Sequence, residues 1–321
     1  MRKVVSIFVL LLFAAAAMAL PPELKTASDL LNSGHADDAI RVLNTHLKSS
    51  PHDADAFNLL ARTYFAMHRW DRAIAAGEKA VELDPDNSSY HMWLGRMYGE
   101  KADHSNFVTA ARLVNKVRSE FERAVELDAS NLDARTDLAE FYLEAPGFMG
   151  GGKDKALRQA SLMKRENAAV AHWVYARLYD KEGLDAEAES EYREAIQASG
   201  GDARYWLNLA SFYSSRQRYP EMEKVVTTAM RSERHKPVNL FDAASLLLSA
   251  GRDFVGATQL LHKYLAGLPT EEAPAFQAHY VLGQIHEKQG DKAAAAVEYR
   301  AALALAKDFD EARTALARVE Q

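Results

Sequence analysis

An all-α fold of stacked helical hairpins is predicted by three features of the sequence. Small residues recur with an aromatic or apolar residue three positions on: Ala27/Leu30, Ala61/Tyr64, Gly95/Tyr98, Ala139/Tyr142, Ala176/Tyr179, Ala210/Tyr213, Ala244/Leu247 and Gly283/His286. The small residues stand 34, 34, 44, 37, 34, 34 and 39 apart, so one interval dominates. A second column follows in each unit at i, i+4 and i+7, the spacing of one helix face, as in Ala73/Gly77/Ala80, Ala188/Tyr192/Ala195 and Ala295/Tyr299/Ala302. Turn glycines (Gly34, Gly183, Gly251, Gly290) separate the two columns. Each unit therefore reads as two short antiparallel helices that approach closely at the small residues. One hairpin cannot bury its own apolar face, so neighbours must stack.

The chain begins with a different kind of segment. Arg2 and Lys3 precede an apolar run from Val4 to Met18, and Ala17-Met18-Ala19 is followed by Leu20-Pro21-Pro22. A basic start, a short apolar core and small residues at the end form a secretory leader, residues 1–19. The run is short for a membrane span of ~20 residues. Cleavage after Ala19 is expected to leave an exported, periplasmic chain. If cleavage fails, the same segment anchors the protein to the inner membrane. Loss of Arg2 and Lys3 takes the net charge from −6 to −8.

The units fall at about 20–53, 54–87, 88–131, 132–168, 169–202, 203–236, 237–275 and 276–307. Residues 308–321 carry Ala312, Ala315, Leu316 and Val319 on one side and charges on the other, as a capping helix requires. In the second unit Phe57, Leu60, Ala61, Tyr64, Ala73, Ala80 and Pro85 form a pattern that resembles the tetratricopeptide repeat (TPR) family. The resemblance implies a right-handed superhelix of about eight helix-turn-helix repeats. The first and seventh units fit less well, with His46 and Lys263 in a usually small column.

Two units depart from the pattern. The third carries about ten extra residues, and Phe107, Ala111, Val114, Val117, Phe121 and Ala124 keep helical spacing into its second helix. The insertion is expected to lengthen that helix into a spur. The fourth replaces its tight turn by the loop Glu144 to Lys153. Gly147, Gly152 and Lys153 match most of the phosphate-cradling pattern G-x-x-x-x-G-K-[ST], but Asp154 stands where Ser or Thr should hold Mg²⁺, and no strand precedes the loop. Phe148 and Met149 there are expected to cover an apolar patch or to touch a partner.

Composition narrows the function. With no Cys, thiolate metal sites and Cys nucleophiles are excluded, and the balance of 39 basic against 45 acidic residues argues against nucleic acid. His279 and His286 lie seven apart in columns that pack between helices, which favours a structural role over a metal site. No nucleophile motif can be assembled, so neither enzyme activity nor a cofactor is expected. By the family resemblance, the residue after each small one faces a concave groove. That column includes Arg62, Arg96, Glu140 and Arg177, and a neighbouring one includes Asn58, Met92, Trp173, Phe241 and Tyr280. Three Arg among aromatics imply a protein or peptide partner of acidic character, although solvated charge and ordinary packing would explain the same residues, and Glu140 interrupts the stripe. The expected function is a non-enzymatic interaction scaffold or assembly factor of the bacterial envelope.

Overall fold

The structure, a computed structural model, describes residues 21–321; the leader expected at residues 1–19 lies outside the described residues. Within them the chain is all-helical, with seventeen α-helices and one 3₁₀ turn. Each of the eight units holds a first helix (A) and a second helix (B), and Asp310–Val319 follows as the capping helix. The A helices of repeats two to six start on an Asp or Asn: Asp53, Asn87, Asn131, Asn167 and Asp202 each accept a hydrogen bond from a first-turn amide. The end of one unit thus caps the next, satisfying a donor that the helix itself leaves open.

In repeats one, five, seven and eight the turn between A and B places a residue in the left-handed region, and Gly34, Gly183, Gly251 and Gly290 supply it. His68 and Gln217 adopt the same conformation without being glycine. At the crossing of A and B, size is complementary. A Cβ on Gly95 would lie 2.5 Å from the Phe121 ring, and one on Gly283 would lie 2.4 Å from the Tyr299 ring. In repeat two the roles are shared, with Gly77 facing Ala61. Small opposite large keeps the crossing close-packed in each case.

Three histidines one turn before the small residue are tied to the B helix of their own repeat. His91 meets Glu120 at 2.6 Å, His172 meets Glu191 at 2.6 Å and His279 meets Glu298 at 2.7 Å. Tyrosines of the aromatic column reach back to the preceding repeat: Tyr142 donates to Glu122 at 2.8 Å and Tyr213 to Glu189 at 2.7 Å. The first set closes each hairpin and the second joins hairpins.

Neighbouring A helices pack on one another along nearly the whole array, whereas successive B helices do not pack in this way. The A helices therefore lie on the inside of the curve. The array bends far enough to meet itself. Gln277 donates to the Ala66 carbonyl at 2.9 Å, the Lys307 amide donates to Asp37 at 3.0 Å, and His68 meets Glu311 at 2.8 Å. Phe309, fully buried, lies edge-on to His68 and to Phe276. Burying such a ring contributes roughly 1.5–3 kcal/mol, while each half-exposed ion pair beside it contributes about 0–1 kcal/mol. Apolar burial therefore dominates this closure.

The insertion in repeat three is shared between its helices. Helix A (Ser88–Asp103) has 16 residues and helix B (Phe107–Leu127) has 21, against 13 and 14 in repeat two. Phe107 and Val108 at the tip are 76% and 61% exposed, so the hairpin does project.

Candidate functional site

The inner face of repeats two to five brings the Arg column together with partners that the periodic pattern does not contain. Arg62 is paired with Glu271, which stands on the loop 267–274 between repeats seven and eight. Arg96 donates to Asp137 at 2.5 and 3.3 Å. Arg177 donates to Glu140 at 3.2 Å and to Glu144 at 2.9 Å. All three guanidiniums are therefore engaged within the chain. Trp93 lies between two of them, with Arg62 at 5.0 Å and Arg96 at 4.9 Å from the ring, while Arg177 lies 5.7 Å from the ring of Trp173. Such cation–π contacts hold the side chains against the wall.

The other residues of the two columns divide by burial. Asn58 and Met92 are buried within the stack, and Met92 packs on Ala124 and Ala134. The expectation that they line an open surface is corrected here: stacking of the next helix pair covers them. Trp173, Phe241 and Tyr280 are partly exposed. Phe241 lies beside Tyr264 at 6.0 Å, and Tyr280 packs edge-on to Phe309 in the closure.

Between repeats three and four the inner wall opens into a cleft of about 610 Å³. Val117, Phe121 and Phe141 form its floor, and Val114, Phe65 and Pro146 flank it. Five carboxylates, Glu100, Asp103, Asp137, Glu140 and Glu144, stand around it, with Arg96 the one cation in its lining among the described residues. Burial pushes the Asp137 carboxyl upward, and the Arg96 guanidinium only partly offsets this. Glu140 is raised by burial too, against the pull of Arg177. Glu144 ends up lowered, since Lys181 and Arg177 outweigh its desolvation. A smaller hollow of about 250 Å³ continues toward Glu271 and shares Phe65 and Glu100 with the cleft.

The sequence pattern missed Trp93, Asp137 and Glu271. The first two were findable, because each stands three residues before a column residue (Arg96, Glu140) and so shares its helix face. Glu271 carried no signal; it is 209 residues from Arg62.

The loop of repeat four is folded on itself. The amides of Met149, Gly150, Gly151 and Gly152 donate to Pro146, Gly147, Pro146 and Tyr142 carbonyls at 2.8–3.2 Å. Those amides are thus unavailable to cradle a phosphate, and Lys153 is paired with Glu182 at 2.5 Å. A Cβ on Gly151 would lie 1.7 Å from the Ala145 carbonyl oxygen, so that glycine is a packing requirement. Phe148 is 83% exposed and Met149 half-buried.

A family model described as tetratricopeptide repeat matches residues 24–88 and 58–104, and a second with the same description matches 276–309. Residues 24–104 and 276–309 thus carry repeats of the tetratricopeptide family. Proteins of this family generally act as protein–protein interaction scaffolds. The array is 24% identical over 295 residues to Superkiller complex protein 3 of Mus musculus, covering 79% of this chain and 18% of that protein. It is 23% identical over 214 residues to intraflagellar transport protein 70B of Rattus norvegicus, covering 65% of this chain and 30% of that protein. The chain thus spans less than a third of either relative. Among solved structures, yeast Tom70 superposes with a TM-score of 0.55 at 18% identity, covering 89% of this chain and 58% of that one, which shows the shared fold.

Proposed function

We propose that this chain is a non-enzymatic scaffold or assembly factor of the bacterial cell envelope that holds segments of partner polypeptides on the inner face of its circuit. The open cleft between repeats three and four carries this reading. It offers an apolar floor and fixed polar groups, the combination that recognition surfaces use. Most of its lining stands on packed helices, so little ordering cost falls on the protein when a segment binds. Two relatives bear the names of a multiprotein complex and a transport system, in keeping with an assembly role.

Export rests on the leader at residues 1–19. Intact-mass measurement on protein recovered from the envelope should give a chain beginning at Leu20; a mass retaining Met1 to Ala19 would instead support the inner-membrane anchor. The inner-face reading is tested by a photo-crosslinking residue placed at Val114 inside the cleft or at Val297 on the outer side of repeat eight. A discrete partner should be captured in cells from Val114 and not from Val297. Capture from Val297 alone would overturn it.

A further inference from the structure

The charge lining the cleft is opposite in sign to the one its Arg column suggests. Arg96 is taken by Asp137, Arg177 by Glu140 and Glu144, and Lys181 reaches Glu144 at 3.0 Å. Every cation along this wall is engaged, and carboxylates remain. Glu100 and Asp103 lie three residues apart on one helix face. Among the described residues no Lys or Arg is paired with either; the nearest basic group to Glu100 is His104, at 4.0 Å. We propose that the cleft between repeats three and four binds a partner segment carrying a lysine or arginine next to a bulky apolar side chain. The ammonium or guanidinium would sit between Glu100 and Asp103, and its methylene stem and the apolar neighbour would lie on Val114, Val117 and Phe121. This deepens the groove reading above and depends on it.

Three considerations decide the sign. An acidic segment would bring further negative charge to a wall where five carboxylates already surround one lining guanidinium. It would also have to break an internal Arg pair before gaining one of its own, so its net gain is close to zero. The Asp137 and Glu140 carboxyls are raised chiefly by burial, but in each a neighbouring carboxylate adds to the rise, so a further anion here is disfavoured. A cation entering here loses water at its stem, not at its head, which keeps the desolvation cost small.

The test uses two short synthetic peptides with the same leucines, one flanked by lysines and the other by glutamates, followed by fluorescence anisotropy on the purified protein. The Lys–Leu peptide should bind and should be captured by a photo-crosslinker at Val114. The double variant Glu100→Gln/Asp103→Asn should weaken it about tenfold. Glu166→Gln/Glu233→Gln removes the same charge from exposed loops elsewhere and should leave affinity nearly unchanged. Equal losses in the two double variants would mean attraction by net charge alone and would overturn the proposal, as would absence of binding. Preferential capture of the Glu–Leu peptide at Val114 would overturn the charge assignment while the groove reading stands. Capture of either peptide at Val297 and not at Val114 would overturn both.

Discussion

Repeats three and four and repeats seven and eight present the same helical register to the inside of the circuit, yet their inner walls differ. Where the first pair places Arg96 and Glu140, the second places Ser245 and Gln284. A hollow of about 370 Å³ lies beside Ser245 and Gln284, lined otherwise by Leu248, Ser249, Val281 and Lys288. The Ser245 hydroxyl is buried there and has no hydrogen-bond partner among the described residues. Both pairs include a glycine covered by an aromatic ring, Gly95 under Phe121 and Gly283 under Tyr299. The repeat geometry thus decides where a hollow forms, and one column of side chains decides its chemistry. A wall of five carboxylates selects a partner strongly by charge; a Ser/Gln wall with Lys288 as its one charged lining residue among the described residues does so far less.

The largest expected effect comes from reversing Arg62, Arg96 and Arg177 together to Glu. Each faces a carboxylate in the folded chain, so the change removes three partly buried pairs at about 1 kcal/mol each and adds repulsion, on the order of 3–5 kcal/mol in all. Denaturant unfolding should show it. Gln284→Glu, the counterpart in repeat eight, should be nearly neutral, since Lys288 lies one turn on. If both variants unfold alike, the two walls do not differ as described.

Next in size are Gly95→Leu and Gly283→Leu. Each forces methylenes into an aromatic ring already at contact, costing roughly 1–3 kcal/mol. Because stacked repeats are stabilised mainly by their neighbours, hydrogen exchange should rise first around the altered repeat. Loss spreading evenly from the chain ends would contradict this.

A smaller effect depends on pH. Asp242 in repeat seven reaches water at its tip but is crowded by surrounding protein, and this desolvation pushes its carboxyl up to about 6. Glu272 nearby adds to the shift, and Asn239 opposes it. A carboxyl raised on folding binds its proton more tightly in the folded state, so its ionisation is a penalty. That penalty is absent below about pH 4 and grows as pH rises through about 6. Asp242→Asn should therefore stabilise the chain modestly at pH 7.5 and leave it unchanged at pH 4. An equal gain at both values would remove Asp242 as the cause.

Lys153→Ala should do least. Its pair with Glu182 is half-exposed, so the unfolding midpoint should barely move. ATP binding that vanished in this variant would contradict the self-bonded loop.

The sequence by itself determined the hairpins. Small residues, caps and turn glycines act within some forty residues of one another, where helix periodicity decides which faces meet. It also located the projecting third repeat and the interrupted fourth, because an insertion shifts the spacing visibly. The Arg column was legible as well, but its meaning was not. Whether Arg62 is free depends on Glu271, and that depends on the array curving until repeats seven and eight return to repeats one and two. Curvature accumulates from a small rotation at each of seven junctions, and no single junction encodes the sum. Trp93 and Asp137 lay on readable helix faces, yet the contacts of Trp93 with Arg62 and of Asp137 with Arg96 form only once neighbouring A helices are set side by side. Only the tertiary structure, therefore, decided which charges neutralise one another and which face the cleft, because ion pairing requires proximity in space and the repeat pattern specifies proximity only along the chain.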